Sequence, residues 1–195
     1  MSSFSSNKNQ AYWFVLRDLK RANAKCRAYQ LFEEKNIEMF TPMKWRLSTV
    51  KGKQVRKEVP CISDLLFVHD TREKLDPIIE ENLTVQYRWV RNKYREPMVV
   101  SDADMERFIH AVSTSASPKY YLPEEITPEM LNRPIRIVGG PLDGYEGTLV
   151  TTRGSKVKRL MVALPSLLSV AVEVNPEYIQ FIKKLLSLRH YRHTC

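Results

Sequence analysis

The feature that most constrains this fold is a glycine-rich stretch at Arg136–Thr148, which reads RIVGGPLDGYEGT. Ile135 and Ile137 alternate with other residues just before the glycines, and Leu149 and Val150 resume an apolar run after them. Alternation of this kind is typical of a β-strand, and clustered glycines indicate a turn with positive φ or a close backbone approach. The stretch therefore predicts two strands joined by a glycine turn.

The same stretch resembles the KOW motif of NusG-type transcription factors and some ribosomal proteins. The resemblance is carried by apolar residues two apart, a Gly-Pro-Leu triplet, and the spacing of Gly140, Gly144 and Gly147. A chance glycine-rich hairpin is the alternative interpretation. The KOW resemblance implies a small all-β barrel at residues 132–182. Three later apolar runs are predicted to supply its other strands: Leu160–Leu164, Ser169–Val174 and Tyr178–Ile182.

Composition favours a soluble protein with a polyanionic or acidic partner. The formal net charge of +9 is typical of proteins that bind nucleic acid or an acidic surface. Cys26, Cys61 and Cys195 fit neither a disulfide framework nor a zinc knuckle, which favours a reducing cytosol. The first ten residues lack the apolar segment of a signal peptide, and no run approaches the roughly 18 apolar residues of a membrane span. We therefore expect a cytoplasmic protein with no membrane partner.

The first 115 residues carry alternating strand and helix patterns. Asn36 is a predicted helix C-cap because asparagine tolerates the left-handed conformation, and Asp76 followed by Pro77 is a predicted helix start. The order of elements predicts an α+β sandwich with helices packed on a sheet. The predicted elements are strands at Tyr12–Leu16, Glu38–Thr41, Leu65–Val68 and 84–90, and helices at 21–35, 71–82 and from Ser101 onward.

A basic segment interrupts this pattern between residues 44 and 58. Gly52 lies at its centre, and its character predicts an exposed hairpin. A solvated loop and a contact with nucleic-acid phosphate are equally open interpretations. The segment sets six cations against the single acid Glu58: Lys44, Arg46, Lys51, Lys53, Arg56 and Lys57.

Several of these features, in this order, resemble the N-terminal (NGN) domain of NusG. They are WFVL near the start, Phe40-Thr41-Pro42, the basic insertion, Val59-Pro60, LLFV, and VSD before a helix. The resemblance implies an α+β chain in which an NGN-like α/β sandwich is joined by a linker to the KOW barrel. The implied organisation is a disordered tail at 1–10, the NGN-like domain at 11–115, a linker at 116–131, the barrel at 132–182 and a basic tail at 183–195.

One segment departs from the family pattern. In typical NusG proteins the segment after Val-Pro carries an aromatic residue followed by Pro-Gly-Tyr, whereas this chain has Ile62-Ser63-Asp64-Leu65. In this respect the chain is more similar to the specialised UpxY paralogues, which are antiterminators of capsular polysaccharide operons in Bacteroides-type bacteria. The resemblance therefore favours an operon-specific antiterminator over a housekeeping NusG.

The NusG resemblance also implies binding residues. In that family the N-terminal domain presents an apolar patch to the clamp helices, a coiled coil in the largest subunit of RNA polymerase. The matching positions here are Trp13, Ile62, Leu65, Phe108 and Ile109. Ordinary core is the alternative for each of them, although Ile62 and Leu65 flank a polar pair and are expected to be the more exposed.

The remaining functional expectations concern the second half of the chain. The family's barrel recruits Rho or the ribosomal protein NusE, and the matching loop here holds Leu164, Leu167 and Leu168. His190, His193 and Cys195 lie close together, but a polar chain end is the favoured interpretation over a metal site. The chain carries no catalytic motif, so we expect no enzyme and no cofactor.

Together these features predict a monomeric antitermination and elongation factor that binds RNA polymerase, with DNA or nascent RNA near the basic hairpin. Two alternatives remain. One is a housekeeping NusG, and the other is a KOW-type RNA-binding module that makes no contact with polymerase.

Overall fold

A computed structural model describes residues 9–21, 24–50, 52–150 and 157–182. The chain divides into two compact units, Met1–Ile109 and His110–Cys195, and its helices and antiparallel sheets confirm the α+β class. The elements of the first unit begin with β1 (Tyr12–Asp18), α1 (Ala28–Glu34), β2 (Glu38–Phe40), β3 (Met43–Val50) and β4 (Lys53–Pro60). They continue with β5 (Leu66–Asp70), α2 (Arg72–Glu81), β6 (Val85–Tyr87), β7 (Val99–Val100) and α3 (Asp102–Thr114), a helix within which the division between the units falls.

Strand β1 organises the main sheet of the first unit. The strand order is β2-β5-β1-β6, and β7 also pairs with β1; every pairing is antiparallel. Residues directly opposite each other in an antiparallel pair project to the same face. Phe14 opposite Val68 therefore marks one face, and Val15 opposite Phe67 marks the other.

Helices cover both faces of this sheet. On the Phe14 face, Phe32 of α1 and Leu75 of α2 are fully buried in one apolar cluster with the strands. On the opposite face, the ring of Phe108 in α3 meets Phe40 with ring centroids 6.0 Å apart. The expected sandwich of helices and sheet is thus present, with a helix layer on each side.

The helix predicted at 71–82 is confirmed as α2 (Arg72–Glu81), but two predicted helix starts differ from the structure. Within the described residues, α1 begins at Ala28 rather than 21, because the Asp18 carboxylate accepts a hydrogen bond from the Ala28 N–H at 3.0 Å and fixes the helix start there. Helix α2 begins after Thr71, which caps it, so Pro77 lies inside the helix and the predicted start at Asp76 is wrong. The predicted left-handed residue after α1 is confirmed, since Asn36 has φ 54°.

The basic segment forms the predicted hairpin. Strands β3 and β4 pair antiparallel along their whole length, from Met43 opposite Pro60 to Val50 opposite Lys53. Gly52 has φ +76° at the turn, a conformation that glycine adopts without steric cost. Lys51 lies outside the described residues.

The second unit is built on antiparallel strands. Its described strands form a six-stranded sheet in the order β13-β9-β10-β11-β12-β8. These strands are β8 (Lys119–Tyr121), β9 (Leu131–Ile137), β10 (Glu146–Val150), β11 (Arg159–Leu164), β12 (Leu168–Glu173) and β13 (Ile179–Phe181). The strand patterns after the glycine turn are therefore confirmed, within a residue or two at each end.

Two features of this sheet were not predicted. Lys119–Tyr121, expected within the linker, forms strand β8 and pairs with β12. In strand β12 the residues from Leu168 to Val172 are all buried, so both faces of the strand are covered. The reason is a second apolar cluster, in which Tyr121 and Ile126 cover the face that carries Ala171.

The glycine stretch forms the predicted turn between β9 and β10. Gly140 has φ +72° and Gly144 has φ +76°, so both lie in the left-handed region. Gly147 is required for a different reason, because a Cβ there would overlap the carbonyl oxygen of Met161 on the neighbouring strand.

Candidate functional site

The structure separates the five predicted docking residues into two groups. Trp13 is 3% exposed, Leu65 is equally buried, and Phe108 is 0% exposed, so these three belong to the core. Trp13 stacks on His69 with ring centroids 5.0 Å apart, and Phe108 packs against Phe40. The expectation that Leu65 would be exposed is wrong, because the residue leads directly into the central strand β5.

The other two predicted residues, Ile62 and Ile109, are half-buried and keep apolar surface in contact with solvent. Phe40 is also half-buried, and its ring contacts Phe67 and Phe108 on the α3 side of the sheet. Sequence reasoning used Phe40 only as part of a family motif and missed it as a surface residue. These three side chains (Ile62, Phe40 and Ile109) are called the apolar surface below.

Polar contacts hold the segment that carries Ile62. The guanidinium of Arg27 donates to the carbonyl of Ser63, and the hydroxyl of Thr41 donates to the carbonyl of Leu65 at 2.9 Å. Asp64 forms ion pairs with Arg17 at 3.5 Å and Arg88 at 3.2 Å. The Ser-Asp pair that departs from the family pattern therefore anchors this segment on both sides.

The Arg27 side chain is fixed by a buried ion pair. Its Nε donates to Asp18 Oδ2 at 2.7 Å, and both side chains are almost completely removed from water. The same carboxylate accepts the N–H groups of Ala28 and Lys20. Because a buried carboxylate needs several donors to offset its desolvation, this cluster satisfies the charge and joins β1, α1 and the Ile62 segment.

The β3–β4 hairpin has two chemically different faces. Opposite residues share a face, so Arg46 lies beside Lys57. On the same face, Lys44 lies two pairs away toward the base of the hairpin and Lys53 lies four pairs away toward the turn. All of these side chains are exposed. The four cations whose side chains the register places together, called the basic face below, are Lys44, Arg46, Lys53 and Lys57.

The other hairpin face is aromatic and apolar. Trp45 and Leu47 are exposed there, and the guanidinium of Arg56 lies over the Trp45 ring, 4.5 Å from its centroid. Arg56 was predicted to act with the other cations, but the register directs it away from them. The sequence could not show this, because the faces depend on which residues of the two strands are paired.

The predicted partner loop of the second unit does not present an apolar surface. Leu164, Leu167 and Leu168 are all buried, whereas Pro165 and Ser166 between them are exposed. Leu164 ends β11 and Leu168 begins β12, whereas Leu167 lies in the turn between them, where its N–H donates to the Leu164 carbonyl at 3.1 Å. Residues 151–156 lie outside the described residues, as does the tail from residue 183 with His190, His193 and Cys195.

Comparison with known proteins identifies one family. Residues 11–109, slightly more than half of the chain, match the family described as transcription termination factor nusG. None of the curated proteins compared with the chain matches it. Within the described ranges, no helix is long and apolar enough to cross a membrane.

Proposed function

The chain belongs to the NusG family of transcription factors, and we propose that it is an elongation and antitermination factor whose first unit docks on RNA polymerase. The observation that carries this proposal is the family match, which ends at the same residue as the first compact unit, Ile109. The proposed action is binding without catalysis. By docking better on the elongating state of polymerase than on the paused state, the protein would shift the equilibrium toward elongation.

The apolar surface is the proposed contact with the clamp helices of the polymerase. Ile62 and Ile109 are half-buried, as a docking residue must be if it is held by the fold and still reaches a partner. Burying apolar area contributes about 25 cal/mol per Å², so a few such side chains supply much of the affinity. The anchored Ser63–Asp64 pair supports this assignment, because a fixed segment loses little entropy on binding.

Capture of RNA polymerase by the full chain tests this proposal. Ile109→Asp and Ile62→Asp are each expected to weaken binding about tenfold or more, because each places a charge in an apolar contact. Leu83→Asp is the matched control, since Leu83 is 83% exposed after α2 and is expected to leave binding unchanged. Equal binding by all three variants, each with an unchanged melting temperature, would refute the docking surface.

The basic face is the proposed contact with DNA or nascent RNA. Lysine and arginine that neutralise phosphates displace counterions, so each contact adds about 0.9 to the slope of log affinity against log salt for duplex DNA and about 0.7 for a single strand. Lys57→Ser is expected to lower that slope by roughly 0.7–0.9. Arg56→Ser is the matched control, because this neighbour lies on the opposite face, and the slope is expected to stay unchanged.

Titrations at several salt concentrations, read by the anisotropy of a labelled oligonucleotide, measure this slope. Equal changes for the two variants would contradict a face-specific contact. If the full chain binds the oligonucleotide but does not capture polymerase, the result would instead support the alternative, an RNA-binding module.

We also propose that residues 132–182 form a KOW domain. The strand–turn–strand arrangement at the glycine stretch supports this, with Gly140 and Gly144 in left-handed conformations and no room for a side chain at Gly147. Binding of Rho or NusE by this domain stays a prediction. Since Leu164, Leu167 and Leu168 are buried, any such contact must use other residues.

A capsular polysaccharide operon is the proposed target, by similarity to UpxY at the Ile62–Leu65 segment. Deleting the gene is then expected to reduce read-through in one operon. A housekeeping NusG would give small effects in many operons.

A further inference from the structure

A cleft of about 620 Å³ lies in the first unit between α2 and the ribbon that joins β6 to β7. Neither the docking proposal nor the basic face uses it. The lining residues that matter here are Arg72, Asp76, Tyr87, Trp89, Tyr94 and Arg95.

The inner part of the cleft is a fixed polar cluster. Tyr87 is buried, and its hydroxyl donates to Asp76 Oδ1 at 2.8 Å. Burial and this hydrogen bond raise the pKa of the Tyr87 phenol, so it stays neutral. The other oxygen of Asp76 pairs with Arg72 at 3.2 Å, and the Arg72 guanidinium lies 5.7 Å from the Tyr87 ring centroid. Arg72 and Asp76 are therefore held as an ion pair at the base of the cleft.

The outer part presents two exposed aromatic rings. Trp89 is 46% exposed and Tyr94 is 88% exposed, and the Arg95 guanidinium lies 5.5 Å from the Tyr94 ring centroid. A single exposed aromatic residue is ordinary, but here two such rings line one cleft together with two arginines.

The loop that carries Tyr94 is held in an unusual conformation. Asn92 has φ 64° and Arg95 has φ 47°, and a left-handed arginine is uncommon. Backbone hydrogen bonds fix the ribbon below the loop, from Val90 N–H to Glu96 and from Met98 N–H to Arg88, at 2.9 and 2.7 Å. Strained residues of this kind persist where the surrounding structure imposes them, often at binding sites.

We propose that this cleft binds an unpaired nucleotide. The exposed rings of Trp89 and Tyr94 offer stacking surfaces for a base, and Arg95, whose guanidinium lies beside the Tyr94 ring, is placed to contact its phosphate. A base in a duplex is already stacked on its neighbours, so the cleft selects a free nucleotide or a nucleotide of a single strand. This assignment goes beyond the proposed function, which places nucleic acid only on the hairpin.

Tryptophan fluorescence of the full chain tests the proposal at the site itself. The chain has three tryptophans, of which Trp13 is buried and Trp45 lies on the hairpin. In a Trp45→Phe background, the exposed signal therefore comes from Trp89. Adding oligo-dT or oligo-U is expected to quench it, because a stacked base quenches indole fluorescence. Quenching by adenosine or uridine monophosphate as well would assign the ligand as a free nucleotide, and quenching by strands alone would assign it as part of a strand.

Substitutions of Tyr94 distinguish binding by base stacking from binding by charge alone. Tyr94→Ala is expected to weaken binding of the oligonucleotide about 5- to 150-fold, whereas Tyr94→Phe keeps the ring and is expected to bind like the unsubstituted chain. Because Tyr94 is so exposed, neither change should alter the melting temperature. No quenching by any of these probes, or equal affinity for Tyr94→Ala and Tyr94→Phe, would overturn the proposal.

Polymerase capture distinguishes failure of the nucleotide proposal from failure of the proposed function. Tyr94→Ala is expected to capture polymerase normally, and Ile109→Asp is expected to keep the quenching. Loss of polymerase capture by Tyr94→Ala would show that the cleft faces polymerase and would overturn the nucleotide assignment.

Discussion

Arg27→Ala is expected to lower the free energy of unfolding of the first unit by about 3–5 kcal/mol, the cost typical of breaking a buried ion pair. The substitution removes the guanidinium that lies 2.7 Å from Asp18 and leaves that carboxylate buried with backbone donors alone. It also removes the donor to the Ser63 carbonyl. We therefore expect the Ile62 segment to lose its anchor along with the stability of the unit.

Denaturant unfolding followed by tryptophan fluorescence measures this change, because all three tryptophans, Trp13, Trp45 and Trp89, lie in the first unit. Arg17→Ala is the matched control. Arg17 pairs with Asp64 at 3.5 Å, but its side chain is half exposed, and surface pairs of this kind contribute about 0–1 kcal/mol. A loss for Arg27→Ala no larger than for Arg17→Ala would show that the buried pair does not hold the fold.

Phe108→Ala is expected to cost about 3–5 kcal/mol of unfolding free energy, because it opens a cavity in a fully buried position. The ring packs between α3 and the sheet, where it meets Phe40. Ile109→Ala, on the next residue, is expected to cost about 1 kcal/mol, since Ile109 is only half-buried and less apolar contact is lost.

The same two variants show whether Phe108 is a core residue or a direct contact with the polymerase. If Phe108 contacted the polymerase directly, as the sequence comparison implied, Phe108→Ala would weaken polymerase capture and leave the unfolding free energy unchanged. That outcome, read by denaturant unfolding and capture in parallel, would contradict the core assignment made here.

Much of the fold could be predicted from short-range patterns. The hairpin around Gly52, the glycine turn before β10 and the amphipathic helix after Ser101 all follow from local turn chemistry and periodicity. The predicted helix boundaries were wrong where a residue distant in the sequence determines the boundary. Helix α1 begins where the Asp18 carboxylate meets the Ala28 N–H, and nothing in residues 21–35 reveals that contact.

Exposure was the least predictable property. The alternation of apolar and polar residues along a strand normally shows which of its faces is buried. In the first sheet both faces are covered by helices, so Trp13 and Phe14 are both buried. Strand β12 in the second unit is also buried on both faces, and there Tyr121 and Ile126 cover the side that carries Ala171. A patch of apolar residues in the sequence could therefore not be sorted into core and surface without the packing of α3.

The cleft at Tyr94 was missed, although the sequence carries a signal for it. Residues 87–95, YRWVRNKYR, interleave three aromatic residues with four cations, a composition typical of nucleic-acid contacts. The pattern at 84–90 within this segment predicted only a strand. What the sequence could not show is that α2 supplies Arg72 and Asp76 to the same site.

The most direct test of the central claim is site-specific photocrosslinking to RNA polymerase. A photoreactive side chain in place of Ile62 is expected to crosslink to the largest polymerase subunit within its clamp helices, while the same group in place of Leu83 is expected not to crosslink. Crosslinking from Leu83 but not from Ile62 would contradict docking through the apolar surface.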